Sequence, residues 1–452
     1  MLVFHPVLFM PRRVVIIGAS GRDYHVFNVF FRNNPEYRVV AFLQTQIPGV
    51  AGRRYPPLLA GPYYPEGIPV ISFELLEDVV KSYKVDEAVL AYSDLTYSEL
   101  GHVLSRVLAS GVSFRIIGPS ESMIESSKPV IAVLGVKTGV GKSTVSREVL
   151  LELSRCGLRV GVVRHPMPYG DLEKEAVQVF GSLEDLEKYG ATIEEREEYE
   201  PYLKMGFRVY AGVDYSRLLN IVERESDVIL WDGGNNDWPF YRPDFAIVVA
   251  DAMRPGIEVN AYPGEVNLYL ADAVIINKAD QAKPGAVEEI RRNVLSRNPR
   301  AHISVAFSEV EVDRPELLVG RRAIVVEDSP TVTHGGLPYA AGYVAAKKYN
   351  AEVVDPRPYA SEFFKKIYAE CPHMGPVLPS TGYTPEQLAE LEKTINSTPA
   401  DAVVLATPSD ISRLIKLNKP VVRVFYRLRI VEGPTIRDYI DMFLERARRR
   451  LA

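Results

Sequence analysis

PVIAVLGVKTGVGKSTVSR, residues Pro129–Arg147, is the stretch on which the reading of this chain turns. Val130–Leu134 is an unbroken apolar run, the pattern of a buried strand. Gly135-Val136-Lys137-Thr138-Gly139-Val140-Gly141 then supplies a glycine-rich turn, and Lys142-Ser143-Thr144 opens a segment with helical spacing. A strand, a glycine loop and a helix that starts on Lys-Ser make a phosphate cradle. Glycines let backbone N–H groups turn inward onto phosphate oxygens, and the helix N-terminus adds partial positive charge. Gly139, Val140, Gly141, Lys142, Ser143 and Thr144 are therefore the expected nucleotide-binding residues, with Lys142 on the β/γ-phosphates and the Ser143 hydroxyl on Mg2+.

The spacing narrows the class. The common pattern needs Gly four residues before Gly-Lys-Ser, and that position, 136, is Val. The fit is to the deviant form with a second lysine at the loop start, Lys137-Thr138-Gly139-Val140-Gly141-Lys142-Ser143. It resembles the loop of the SIMIBI class of P-loop NTPases, the MinD, ParA and nitrogenase iron-protein relatives, with Thr138 where that class has Gly. The resemblance implies that Lys137 reaches the nucleotide across an interface, and hence a homodimer.

Downstream, Arg159–Val163 reads as a strand running into Arg164-His165. In this topology that basic pair lies at the carboxyl end of the sheet, close to the phosphates. Asp227–Trp231 is another apolar strand and ends in Asp232, the Walker B position, expected to hold Mg2+. G-protein switches place Gly three residues after this acid; here position 235 is Asn. Phe245–Ala250 and Ala273–Ile276 continue the sheet, the first leading to Arg254 and the second into Asn277-Lys278-Ala279-Asp280. That string resembles the base-reading NKxD motif. Asp280 would accept from guanine N1–H and the 2-amino group, the Lys278 stem would pack on the base, and Asn277 would tie the loop to the P-loop. Lys137, Lys142 and Asp232 are the expected catalytic groups.

Upstream, strands alternate with helical patterns from Arg13–Ile17 to Ser113–Ile117, which predicts a parallel sheet flanked by helices. Residues 1–120 thus read as a Rossmann-like domain, 129–312 as the NTPase domain and 313–452 as a C-terminal α/β region. Gly18-x-x-Gly21 is a loose dinucleotide fingerprint, and the second strand ends in Gln44-Thr45-Gln46 rather than a ribose-binding acid. Arg22 and His25 still fall in a βα loop at the ligand end of the sheet. Tyr55–Pro69 reads as a long loop and Pro119–Lys128 as a linker. In the last region His334, beside Gly335-Gly336 at a strand-to-helix turn, is a candidate phosphate contact.

Composition sets outer bounds. The 452 residues carry a net charge of −5, and the basic run Arg446–Arg450 reads as a solvated helix end, so nucleic-acid binding is not expected. Cys156 and Cys371 form no metal or disulfide spacing, which suits a reducing cytoplasm. No apolar run approaches a membrane span, and the start MLVFHPVLFMPRR is too short for a signal peptide. The 33 prolines hint at a thermophile.

VVIIGASGRDYHVFNVFF, TQIPGVAGRRYP, VRHPMPYGDLEKEAVQ, YAGVDY, DGGNND, VEDSPTVTHGG and DPRPYA together resemble a prokaryotic, largely archaeal family, over Val14 to about Tyr426. The family is known both as predicted P-loop GTPases and as cyclic 2,3-diphosphoglycerate synthetase-like proteins. The resemblance implies an enzyme that closes 2,3-diphosphoglycerate into a cyclic phosphoanhydride, using ATP, Mg2+ and K+. The alternative, which the Asn277–Asp280 string favours, is a GTPase of regulatory or metallochaperone type, with GTP in place of ATP. A polyanionic substrate asks for cations beside the γ-phosphate. Arg164, His165, Arg254 and His334 are the candidates, completed by Arg22 and His25.

Overall fold

A computed structural model of the chain describes residues 10–45, 52–166, 168, 170–234, 237–333, 337–380, 384–407 and 411–451. The chain forms two compact units, one of Met1–Ala191, Pro201–Ala306 and Ile430–Ala452, the other of Thr192–Glu200 and Phe307–Arg429. The Rossmann-like segment and the NTPase segment fall in the same unit.

That unit holds two mostly parallel sheets. The first runs in the order Arg54–Tyr55, Ile68–Ser72, Tyr37–Gln44, Arg12–Ile17, Glu87–Leu90, Ser113–Ile116, with the short edge strand Arg54–Tyr55 antiparallel. Val14, Val15, Ile16 and Ile17 are fully buried, as an apolar strand covered on both faces must be. The stretch expected as a long loop, Tyr55–Pro69, instead folds as that edge strand and a helical turn, Pro57–Ala60. Its Tyr55, Leu59 and Tyr64 fill the core beside Tyr24, Phe27 and Phe42, so burial of large side chains orders it.

In the second sheet the P-loop strand Val130–Gly135 is central. It lies between Val228–Asp232 and Phe245–Asp251; Val160–Arg164 and Val209–Ala211 extend one side, Ala273–Asn277 and His302–Val312 the other. Every residue of the three middle strands is buried. The P-loop helix is Lys142–Arg155. The expected linker is also structured: Pro119–Ser122 makes a helical turn and Ile124 bridges to Tyr241. A two-stranded ribbon, Leu95–Thr96 against Ala261–Tyr262, joins loops from the ligand ends of the two sheets.

The C-terminal helix Ile436–Leu451 belongs to this unit. Tyr439 OH meets Ser304 Oγ at 2.5 Å, and Arg446 and Arg450 bond Asp272 and Asp244. The basic end expected to be solvated is thus partly spent on ion pairs. No described helix is long and apolar enough to cross a membrane.

The other unit carries a parallel sheet in the order Val421–Glu432, Ala402–Ala406, Arg322–Glu327, Glu352–Val353, with Leu378–Pro379 also against Arg322–Glu327. Glu327, buried at its strand end, accepts from the N–H groups of Ala340, Gly342 and Tyr343, where the helix Ala341–Lys348 begins.

Candidate active site

The P-loop turn rests on two left-handed glycines, Gly139 (φ +82°) and Gly141 (φ +97°). At Gly141 a Cβ would collide with the Asn277 amide, so glycine is required there for space as well as conformation. Three side chains brace the outer side of the loop. Asn277 Nδ2 donates to Val140 O at 3.0 Å, Lys278 Nζ to Gly139 O at 2.6 Å, and Arg254 Nη2 to Thr138 O at 2.9 Å. With its carbonyls engaged outward, the loop is set to turn its amides inward, as an anion cradle demands. Arg254 and Lys278 also share buried Asp251, at 2.9 and 3.1 Å from its Oδ2. Arg254, expected on substrate phosphate, is held here by Asp251 and the Thr138 carbonyl and braces the P-loop. Asp280 is exposed at the mouth of the loop.

Ser143 lies exposed at the start of the P-loop helix, and Asp232 ends the adjacent strand, fully buried. A hydroxyl and a carboxylate are the hard oxygen donors that Mg2+ takes alongside phosphates and water, so these residues fit that ion. No group of three or more His, Cys, Asp or Glu side chains placed to hold a metal occurs among the described residues. Asp232 is engaged within the chain. Ser146 Oγ donates to its Oδ1 at 2.8 Å, and its Oδ2 accepts from Tyr202 OH at 2.5 Å and from Arg164 Nη1. Burial pushes the carboxyl up, but Arg164, Lys142 and the two hydroxyls hold it below its ordinary range. Arg164, read from the sequence as a substrate cation, is thereby the buried counterion of the Walker B acid.

Lys137 is met by a loop of the first sheet. Its Nζ donates to Asp94 O at 2.5 Å and pairs with Asp94 Oδ1 at 3.1 Å, while Thr138 Oγ1 donates to Asp94 Oδ2 at 2.9 Å. Asp94 takes a left-handed backbone, φ +68°, to reach this position. The signature lysine is so oriented by its own chain.

Beyond these groups lies a buried polar cluster between the two glycine loops. Arg22 lies flat over Trp238, its guanidinium carbon 3.4 Å from the ring centroid, and pairs with Asp237 at 3.5 Å. His165 Nδ1 donates to Pro166 O at 2.9 Å, and its Nε2 lies 3.9 Å from Asp237. The His165 ring fills the space where Gly21 would carry a Cβ. Burial raises the Asp237 carboxyl against the pull of Arg22 and His165. Arg22 and His165 are thus brought together, as the sequence reading asked.

His25 is spent otherwise. Its ring stacks on Phe240 at 3.9 Å, and Nε2 lies 2.6 Å from Ser122 O, which can only accept, so Nε2 carries the proton. Burial holds its pKa down from 6.5 to about 3. It is a neutral packing residue rather than a phosphate contact. A sign follows for stability. The unfolded chain binds a proton at His25 below pH 6.5 and the folded chain does not until about pH 3. The stabilisation is complete above pH 6.5 and is lost as pH falls, at up to about 1.4 kcal/mol per pH unit. His25→Phe is expected to flatten that slope in denaturant titrations between roughly pH 4 and 7. An unchanged slope would assign acid lability to other groups.

The first glycine loop closes on itself. Asp23 accepts from the N–H groups of Ser20 (2.9 Å), Gly21 (3.0 Å) and Tyr24 (2.7 Å), the donors a dinucleotide phosphate would use. His334 and Asn235 lie outside the described residues.

Asp94, Asp237, Trp238, Tyr202 and Tyr262 were not anticipated. Only Asp237 carried a signal, its place five residues after the Walker B acid.

No protein-family model matches the chain. It is 52% identical over 431 residues to arginine synthetase ArcE of Thermococcus kodakarensis, covering 95% of this chain and 96% of that protein. It is 24% identical over 307 residues to a cyclic 2,3-diphosphoglycerate synthetase of Thermococcus sibiricus, covering 62% of this chain and 68% of that one. Among solved structures, LpxK of Aquifex aeolicus in complex with ATP aligns with 81% of this chain and 99% of its own, at 12% identity and a TM-score of 0.42.

Proposed function

Since the chain belongs to the cyclic 2,3-diphosphoglycerate synthetase-like family, and within it stands with arginine synthetase ArcE, we propose that it is an ATP-dependent ligase that makes arginine. The observation that carries this choice is the 52% identity to that synthetase across 95% of the chain. The charge balance of the site supports it. Each arginine first assigned to a polyanionic substrate has an acid partner: Arg22 has Asp237, Arg164 has Asp232, Arg254 has Asp251. These pairs leave the site little net positive charge, which suits a zwitterionic amino acid and ammonia better than a diphosphoglycerate.

The chemistry can be worked back from the product. Arginine with one guanidinium nitrogen replaced by oxygen is citrulline. Phosphoryl transfer from ATP to that ureido oxygen makes it a leaving group; ammonia adds to the carbon, and phosphate departs. The sum is citrulline, ammonia and ATP giving arginine, ADP and phosphate. Mg2+, when bound, neutralises charge on the phosphates. In this reading Lys142 and Lys137 steady the transferring group, the P-loop amides hold the phosphates, and Asp232 keeps Arg164 and Ser146 in place. The cyclic phosphoanhydride follows the same logic with a neighbouring phosphate as nucleophile. It is the second reading, favoured by the 24% match to the synthetase of T. sibiricus.

The test is phosphate release from MgATP by the purified protein, with citrulline and ammonium in one arm and 2,3-diphosphoglycerate in the other. Arginine formation in the first arm is expected. Release that depends only on the phosphoglycerate would replace this reading with the second. The nucleotide is expected to be ATP, so Asp280→Ala should leave ATP turnover within about threefold, since adenine offers the exposed acid neither the N1–H nor the 2-amino donor of guanine. A GTP preference above roughly tenfold that the substitution erases would make the NKxD string the better guide.

A further inference from the structure

Arg22 is almost completely buried, yet only one edge of its guanidinium is used. Nη1 faces Asp237, while Nε and Nη2 have no hydrogen bond of ordinary geometry to any described residue. Those two nitrogens form the side-on fork of the group, the edge that takes two oxygens of a planar anion in parallel bonds. The plane is fixed by Trp238 beneath it, so the fork is preorganised. Tyr262 sits beside it: its ring centroid lies 5.8 Å from the guanidinium carbon, and its buried hydroxyl is turned to Arg22 with no other partner among the described residues. A buried arginine ordinarily has all its donors engaged. Buried guanidinium N–H groups left unmet beside a tyrosine hydroxyl, next to the P-loop machinery through Asp237 and His165, ask for an acceptor that the described residues do not supply.

We propose that Arg22, stacked on Trp238 and assisted by Tyr262, binds the α-carboxylate of the amino-acid substrate and so selects an amino acid over its decarboxylated amine. The inference rests on the ligase reading for the identity of that amino acid. The same donors could meet phosphate oxygens, and the test separates the two sources.

Arginine and agmatine, which differ by the carboxylate alone, are titrated calorimetrically into the full-length protein, into Arg22→Lys and into Arg22→Gln. ATP is titrated in parallel. Arg22→Lys retains a cation opposite Asp237 but loses the planar fork, so it separates recognition from folding; thermal unfolding of each variant monitors the latter. The wild type is expected to bind arginine roughly 10- to 100-fold more tightly than agmatine, the worth of a bidentate charged pair. Arg22→Gln should bring the two within about twofold and Arg22→Lys should fall between, with ATP affinity changed less than about threefold. An unaltered arginine preference in both variants overturns the proposal. So does a loss confined to ATP, which would give the fork to phosphate. Arginine synthesis is assayed separately on the wild type. Its absence, with carboxylate discrimination intact and lost in the variants, would overturn the ligase reading and leave Arg22 as the carboxylate site.

Discussion

Lys142→Ala is expected to lower kcat for ATP-dependent turnover by at least about 10²–10³-fold while leaving Tm within about 2 °C. The side chain begins the P-loop helix and is half-exposed, so its removal deletes no core contact. Its ammonium is close enough to Asp232 to depress that carboxyl, which sets it at the edge of the phosphate cradle rather than in the apolar interior. The lost term is a fixed positive charge where negative charge shifts between donor and acceptor oxygens. Such a term acts on the transition state more than on binding, so KM for ATP should rise much less than kcat falls. Stopped assays on matched preparations, with calorimetry for Tm, check both halves. Turnover within tenfold of wild type would remove the P-loop from the mechanism.

The second large effect is on folding. Arg164→Met is expected to destabilise the protein by about 3–5 kcal/mol, because it strands the Asp232 carboxylate, which is 0% exposed. The sequence alone suggested a different outcome, a change in KM, since Arg164 read as a substrate contact. The pairing alters that expectation. Asp232 is held below its ordinary pKa only because Arg164 and its other partners outweigh burial. Without the arginine, burial wins and the folded pKa rises above the unfolded one. The variant should therefore gain stability as pH falls, whereas wild type loses the contribution of this group on acidification. Adding Asp232→Asn to Arg164→Met removes the stranded charge and retains an acceptor for Ser146 and Tyr202. The double variant should recover half or more of the loss, a coupling that urea titrations of both singles and the double measure directly. A single-variant cost under about 1 kcal/mol would mean that water reaches Asp232 in solution.

What the sequence revealed and what it hid divide along a physical line. The P-loop, the acid after Trp231 and the Asn277–Asp280 loop are legible because each is a run of neighbours whose backbone shape and chemistry coincide. The parallel sheets are legible for the same reason, as apolar runs punctuated by turns. The state of the cations is not. Arg22 meets Asp237 across 215 positions, Arg164 meets Asp232 across 68, and Lys137 meets Asp94 across 43. These pairings exist only once distant segments are folded together, Arg164 with Asp232 on neighbouring strands of one sheet and the other two between the two sheets, and a lysine or arginine looks the same in a sequence whether it is available or already matched. Ser122 was passed over for a related reason. A polar linker gives no sign that its hydroxyl will receive the Trp238 indole N–H at 3.0 Å.

Asp23 and Glu327 have a consequence for how the chain has partitioned its binding capacity. Each is a carboxylate covalently attached to the loop or strand it serves, seated on backbone amides at the start of a helix. A tethered anion has a very high effective concentration and loses no translational freedom on docking. These two loops therefore hold their ligand at every metabolite level, and no phosphate in solution competes on equal terms. They act as permanent internal cofactors. Near the P-loop the acids do something else: Asp94, Asp232 and Asp251 are turned onto lysines and arginines. Of three strand-to-helix junctions of kindred design, one thus leaves its amide cradle open to an exchangeable phosphate, and the other two fill theirs from within.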